Sequence, residues 1–140
     1  MGDTEAGFDA CDVVVEGLCD IRGQEHLYLE TNRARAELQD GGRFVVAAAT
    51  QSPYASQKSV ARVLGIPEHR VEIDVRRLGG GGGGKEDQAT HFAVMAALAA
   101  LRLKRPIQIV LNREDDLQIT GKRHPYQADF RLGLKQYCYL

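Results

Sequence analysis

A run of six consecutive glycines, residues 79–84, constrains the fold of this chain more than any other feature of its sequence. The run follows a strand-like segment at residues 71–75 and precedes a helix-like segment that begins near Asp87. Because glycine has no Cβ, its backbone adopts left-handed conformations readily and can come close to a ligand. The run is therefore compatible with a hinge, a phosphate-binding loop or a narrower glycine-lined ligand site.

The run matches most of the phosphate-binding pattern GxxxxGK[ST], with Gly79, Gly84 and Lys85 in register. Glu86 stands where that pattern needs a Ser or Thr hydroxyl to hold Mg²⁺, and its carboxylate would repel nucleotide phosphates. A nucleotide-binding protein is therefore the weaker alternative. On physical grounds, ligand binding and simple close packing or flexibility of the run remain equally open.

Composition indicates a single compact domain of 140 residues, with 44% hydrophobic and 26% charged residues. A net charge of −1 predicts no nucleic-acid partner, and the apolar run at residues 92–101 is too short to span a membrane. The N-terminus has no signal-peptide pattern, and the odd cysteine count without a CxxC pair is typical of a reducing compartment. These features predict a cytoplasmic protein. The spacing of the four histidines, His26, His69, His91 and His124, predicts no metal site.

Apolar periodicity predicts the order β-β-β-α-β-α-β with a final strand, an α+β fold with helices on one face of a mixed sheet. Strands are predicted at residues 13–17, 27–38, 43–49, 71–75, 106–111 and 127–134. Helices are predicted at residues 53–64 and 87–103, and a short helical turn at residues 114–119. Ser52 is the expected N-cap of the first helix and Gly65 its C-terminal stop. The Ala- and Leu-rich second helix is expected to be buried on most faces.

Four stretches in this order and spacing resemble the molybdopterin-binding subunit of the xanthine dehydrogenase and aldehyde oxidase family. They are GQEHLYLET at residues 23–31, TQSPYASQKSVARVLGIP at 50–67, RLGGGGGGKED at 77–87, and KRPIQIVLNREDDLQITGKRHPY at 104–126. The resemblance extends from about residue 3 to residue 134. It implies an α+β fold of β(2)-α-β-α-β units with helices packed on the sheet.

The resemblance also implies a molybdenum hydroxylase, in which a molybdenum–molybdopterin cofactor supplies the redox chemistry that hydroxylates a purine or an aldehyde. Iron–sulfur clusters and FAD are expected only on other domains or subunits. The implied partners are those domains, the remainder of the molybdopterin-binding subunit and the substrate, with no nucleic acid or membrane.

Individual residues match the motifs of that family. Gln24 matches the glutamine that hydrogen-bonds a molybdenum oxygen without being a metal ligand, and Glu86 matches the acidic residue that contacts a purine substrate. The cofactor-binding loop of the family matches Gly80, Gly81, Gly82 and Gly83.

Two departures from the family pattern shape the expectations. Gly82 stands where the family loop, GGGFGGKE, has a phenylalanine, which predicts a looser loop. The general base of the family matches nothing in this chain, so residues 1–140 are expected to form part of the first molybdopterin-binding domain, with no catalytic residue, and to be inactive alone. An interaction domain that exposes apolar surface is the alternative.

Overall fold

The computed structural model of the chain describes residues 2–136. The chain divides into two compact units, one formed by Met1–Gln24 with His124–Leu140 and the other by Glu25–Arg123. The glycine run lies within the second unit and does not separate the two. Cys138 falls outside the described residues, and Cys11 and Cys19 are free thiols.

The helices and strands of the described residues are α1 (Thr4–Asp9), β1 (Val13–Ile21), β2 (Arg33–Gln39), β3 (Arg43–Ala48), α2 (Pro53–Leu64), β4 (Val71–Asp74), α3 (Gln88–Leu103), β5 (Ile107–Val110), α4 (Arg113–Ile119) and β6 (Tyr126–Leu134).

The second unit is built on a four-stranded mixed sheet. Its strand order is β4-β3-β2-β5, in which β3 and β4 are parallel and the other pairs are antiparallel. Helices α2 and α3 pack on the face that carries Ala34, Ala36 and Val46, and these residues form the core with Val60. The opposite face carries charged side chains such as Arg35. The predicted α+β class, with helices on one face of a mixed sheet, is confirmed.

Helix α3 lies against the sheet through small residues. Ala93, Ala96, Ala97 and Ala100 are fully buried, because alanine lets the helix backbone approach β2 closely. The prediction that most faces of this helix are buried is wrong: its outer face leaves larger apolar side chains exposed, namely Met95, Leu98, Leu101 and Leu103. No helix among residues 2–136 is long and apolar enough to cross a membrane.

Two local predictions are corrected by the structure, and one helix was missed. Residues 27–31 are not part of a strand, since the Arg113 guanidinium donates to the carbonyls of Tyr28 and Leu29 at 2.7 Å and holds this stretch in an irregular conformation. Ser52 precedes α2 but its side chain caps no amide, whereas its own N–H donates to Thr50 Oγ1 at 3.0 Å. Helix α1 was not predicted.

The first unit is a two-stranded antiparallel ribbon of β1 and β6, with α1 against one of its faces. Residues paired across the ribbon share a face, and the register therefore places Val15 beside Leu132 and Ile21 beside Tyr126. One face is apolar throughout: Val13, Val15, Gly17, Cys19, Ile21, Tyr126, Ala128, Phe130, Leu132 and Leu134. Seven of these side chains are large and exposed.

Helix α1 covers the opposite, more polar face of the ribbon. The Arg131 guanidinium lies 4.3 Å from the centre of the Phe8 ring and pairs with Glu5 at 3.2 Å and Glu16 at 2.8 Å. The helix is capped by Asp3, whose carboxylate accepts from two amides of the first turn. Among the described residues of the unit, no helix covers the apolar face.

Candidate functional site

The glycine loop, residues 79–84, has one side turned to solvent. Gly80, Gly82 and Gly83 are exposed and have positive φ angles of 87°, 56° and 90°. None of the three makes a hydrogen bond to any residue that the structure describes. Their peptide groups therefore remain available to the oxygen and nitrogen atoms of a ligand.

The other side of the loop packs against other residues of the second unit. A Cβ on Gly81 would lie 2.5 Å from Gln51 Cδ, and one on Gly84 would lie 2.7 Å from His26 Cγ. Both glycines are buried. A larger residue at either position would displace Gln51 or His26, which explains why the run continues where the backbone is not presented to solvent.

Both ends of the glycine loop are fixed by Glu30. The Gly79 N–H donates to Glu30 Oε2 at 2.8 Å, and the Glu30 N–H donates to the Gly79 carbonyl at 2.9 Å. At the other end, Lys85 Nζ lies 3.3 Å from the same Oε2. Arg33 completes the charges around this carboxylate, at 2.5 Å from Oε1.

Lys85 points into the protein. Its side chain is fully buried, and its ammonium lies 4.6 Å from the centre of the Tyr28 ring. Burial lowers the pKa of Lys85, although Glu30 and Asp116 oppose that shift. An ammonium held in this way does not reach a phosphate on the solvent side, so the geometry speaks against a nucleotide-binding loop of the GxxxxGK[ST] type, in which the lysine contacts the phosphates.

The backbone of Lys85 is fixed as firmly as its side chain. Its N–H donates to Gln51 Oε1 at 3.1 Å, and its carbonyl accepts from the Gln51 N–H at 3.0 Å. This reciprocal pair joins the end of the glycine loop to the segment between β3 and α2. The C-terminal end of the glycine loop is therefore held in a defined position.

A buried polar cluster supports Tyr28 beneath the loop. Asn32 Nδ2 donates to the Tyr28 hydroxyl at 2.7 Å and to Asp116 Oδ1 at 2.8 Å. Burial raises the pKa of Tyr28, and the nearby Asp116 carboxylate adds to the shift. Tyr28 is therefore a neutral hydroxyl at physiological pH, and its ring forms a rigid floor under Lys85.

His26 lies directly under Gly84 and stacks on Tyr28, with 6.4 Å between the ring centres. Its Nδ1 is buried and has no hydrogen-bond partner among the described residues. A buried unpaired nitrogen beside an open loop is a polar atom that a bound ligand or water can satisfy.

Glu86 follows the loop and is exposed, one residue before the N-cap of α3, Asp87. It forms no ion pair with the described residues. Its carboxylate is therefore available to a ligand at the loop. Gln24 is an exposed residue of the first unit.

Sequence reasoning missed the residues that shape the glycine loop, Glu30, Gln51 and His26. Glu30 and Lys85 are separated by 55 positions, and no sequence spacing links them. The chemistry of the site is that of recognition by backbone and carboxylate groups. Within residues 2–136 no group of three or more His, Cys, Asp or Glu side chains could hold a metal ion.

The loop offers bare backbone to a ligand, and comparison with known proteins shows the family to which the chain belongs. Residues 1–137 match the molybdopterin cofactor-binding domain family. The chain is 45% identical over 133 residues to xanthine dehydrogenase of Calliphora vicina, covering 95% of this chain and 10% of that protein. It is 45% identical over 121 residues to a probable aldehyde oxidase of Caenorhabditis elegans, covering 86% of this chain and 10% of that protein.

A solved structure of a protein with a similar name has the same fold as this chain. The aldehyde oxidoreductase of Desulfovibrio gigas superposes with a TM-score of 0.80 at 25% identity, over 96% of this chain and 15% of that one. The chain belongs to the molybdopterin cofactor-binding domain family of the xanthine dehydrogenases and aldehyde oxidases. It spans about a tenth of the length of the curated relatives that it matches.

The residues present fit such a cofactor. Molybdopterin carries a phosphate and a polar pterin, whose acceptor atoms suit unpaired backbone amides. The exposed glycines supply those amides without a Cβ in the way, and nothing lies within 4 Å of the Cβ positions at Gly82 and Gly83. His26 Nδ1 adds an unpaired polar atom at the base of the loop.

Proposed function

We propose that this chain binds the molybdenum–molybdopterin cofactor through Gly80, Gly81, Gly82 and Gly83 in an enzyme that hydroxylates purines or aldehydes. The observation that carries the proposal is the free, solvent-facing backbone of Gly80, Gly82 and Gly83. When bound, the cofactor supplies the redox chemistry of the hydroxylation. Gly81 contributes from the buried side, where it seats the loop on Gln51.

Gln24 is proposed to orient the cofactor by a hydrogen bond from its amide to a molybdenum oxygen. An amide donates without adding charge, so it can hold that oxygen in place without changing the net charge of the site. The exposure of Gln24 leaves its side chain free for this role. We propose that the electrons leave through iron–sulfur clusters and FAD on other parts of the enzyme. We also propose that the enzyme lies in the cytoplasm.

Glu86 is proposed to recognise the substrate. An exposed, unpaired carboxylate next to the cofactor loop can accept hydrogen bonds from the N–H and O–H edges of a purine. An aldehyde offers no such donor and gains nothing from the carboxylate. The proposal therefore favours purines over aldehydes, in line with a role in purine catabolism.

Replacing Glu86 tests the substrate proposal in the full-length enzyme that contains this chain. Glu86→Gln is expected to lower kcat/KM for a purine by about a hundredfold, the size of a lost charge-assisted hydrogen bond, and to leave aldehyde oxidation nearly unchanged. Asp87→Asn is the matched control, since Asp87 is the adjacent exposed carboxylate and its side chain caps no amide. Equal losses on both substrates would show that Glu86 does not select the purine.

We also propose that the chain docks onto other parts of the same enzyme through the apolar face of its ribbon. The relatives are about ten times as long as this chain, and an isolated two-stranded ribbon is at best marginally stable in water. Seven large exposed side chains on one face are the specific observation behind this second role. The occupant that we propose is an apolar surface of the remaining molybdenum enzyme.

A further inference from the structure

One carboxylate oxygen contacts both ends of the glycine loop. Glu30 Oε2 accepts from the Gly79 N–H at 2.8 Å and pairs with Lys85 Nζ at 3.3 Å. Gly79 is the first residue of the loop, and Lys85 directly follows its last residue. The six residues from Gly79 to Gly84 are therefore closed into a ring by a single side chain.

These contacts of Glu30 with Gly79 and Lys85, which we call the Glu30 tie, restrict the conformations of the glycine run. Glycine loses more conformational freedom on ordering than any other residue, so a run of six has many competing conformations. Fixing the two ends restricts the loop without placing any side chain on its solvent face. Within the loop, the Gly84 N–H donates to the Gly81 carbonyl at 2.8 Å, a bond that needs the ends to be close.

The surroundings of Glu30 keep its carboxylate charged. Burial raises the pKa of Glu30, but the Gly79 amide, Lys85 and Arg33 together bring it below its ordinary value. Asp116 is a further charged group that acts on Lys85. A charged carboxylate that is only 14% exposed gives directed, charge-assisted hydrogen bonds to both ends of the loop.

We propose that Glu30 is a positioning residue for the cofactor loop, in which its carboxylate joins Gly79 to Lys85 and sets the conformation that presents Gly80, Gly82 and Gly83. The inference rests on the proposed function of the loop. It adds a residue that touches no ligand but determines whether the backbone cradle exists before the cofactor binds.

Amide hydrogen exchange by NMR on the 140-residue chain tests the tie. The double variant Glu30→Gln/Lys85→Met removes both charges, so it leaves no buried ammonium unpaired and keeps the fold. We expect the Gly84 amide, which does not contact Glu30, to exchange at least about tenfold faster, while the core amide of Val46 changes less than about twofold. Glu37→Gln is the matched control, because Glu37 pairs with Arg35 at 3.2 Å within β2 and does not contact the loop.

The pH dependence of the loop amide resonances distinguishes a positioning role of the Glu30 carboxylate from simple packing. The lowered pKa of Glu30 means that its contribution is complete above the ordinary carboxyl range and is lost as the pH falls through the lowered value. In the wild-type chain the Gly79 and Gly84 amide resonances are expected to titrate together in that acidic range. In Glu30→Gln they are expected to show no titration.

The outcomes distinguish the tie from the function of the loop. Unchanged Gly84 exchange, equal acceleration of Gly84 and Val46, or a Gly84 titration that persists in Glu30→Gln would overturn the tie. A second measurement, molybdenum and pterin content of the full-length double variant, addresses the loop itself. A loosened loop with undiminished cofactor content would refute cofactor binding by the loop while leaving the tie established.

Discussion

At the residue scale, the pair formed by Glu30 and Lys85 is asymmetric. Lys85 is fully buried and Glu30 is its closest anionic partner, whereas Glu30 also has Arg33 at 2.5 Å and the Gly79 amide at 2.8 Å. Removing one partner of a buried pair is costly because the other charge stays in a poorly solvated site. The cost therefore depends on which partner is removed.

We expect Glu30→Gln to lower the free energy of unfolding by about 3 kcal/mol, and Lys85→Met to change it by less than about 1 kcal/mol. The first change leaves a buried ammonium without its carboxylate, and the second removes the buried charge itself. Urea unfolding of the 140-residue chain, followed by circular dichroism, measures both. Glu37→Gln, in an exposed pair, should cost less than about 0.5 kcal/mol. A larger loss in Lys85→Met than in Glu30→Gln would contradict this account.

Gly82 shows what sequence could not supply at this scale. The missing phenylalanine predicted a looser loop, and the structure shows an open site with φ at 56°. A Cβ at this position would have no atom within 4 Å, but a phenylalanine would adopt a left-handed conformation that costs about 1–2 kcal/mol. This cost offsets the gain in unfolded-state entropy, so the looser loop remains a prediction.

At the element scale, local signals located most helices and strands correctly. Helix α2 begins at Pro53 and ends before Gly65, whose φ is 68°, as its sequence indicates. The helical turn predicted at residues 114–119 is α4, and Asn112, which was not predicted as its cap, accepts from the Asp115 amide. These signals act within a few residues, so they can be recognised in the sequence alone.

The failed predictions depend on distant partners or short length. Residues 27–31 alternate like a strand, yet Arg113 binds their carbonyls from 84 or 85 positions away. Helix α1 has only six residues, although Asp3 followed by Glu5 carries the signal of an N-terminal cap. The burial of α3 was overestimated because the helix has apolar residues on two sides, and only the side with Phe92 and the buried alanines belongs to the core.

The ribbon of the first unit makes the next prediction at this scale. If its apolar face is a docking surface, the isolated chain should self-associate through it, and Leu132→Lys should reduce that association because Leu132 is exposed on that face. Gln127→Lys, on the opposite face of the same strand, is the matched control. Sedimentation equilibrium measures the average mass of each. Equal self-association of the two variants would show that the apolar face is not the contact.

At the scale of the whole molecule, the family was recognisable from sequence because four separated motifs occur in the right order. Their individual chemistry was only partly recognisable, since the glycine loop depends on two other segments, one with His26 and Glu30 and one with Gln51. The fold brings these segments to one site through β3, which lies between β2, the strand that follows Glu30, and β4, the strand that leads to the loop. The solvent-facing half of the loop then remains bare.

The central claim is that this bare backbone holds the cofactor, and one pair of variants tests it most directly. Gly83 and Gly41 are both exposed, both have positive φ, at 90° and 78°, and neither has an atom within 4 Å of its Cβ position. Valine at either site imposes similar backbone strain, of about 1–2 kcal/mol, but only Gly83→Val places a side chain in the cofactor cradle. The measurement is molybdenum and pterin per full-length protein, and the account predicts a loss of at least about tenfold in Gly83→Val with near-normal content in Gly41→Val. Equal cofactor content in the two variants would contradict it.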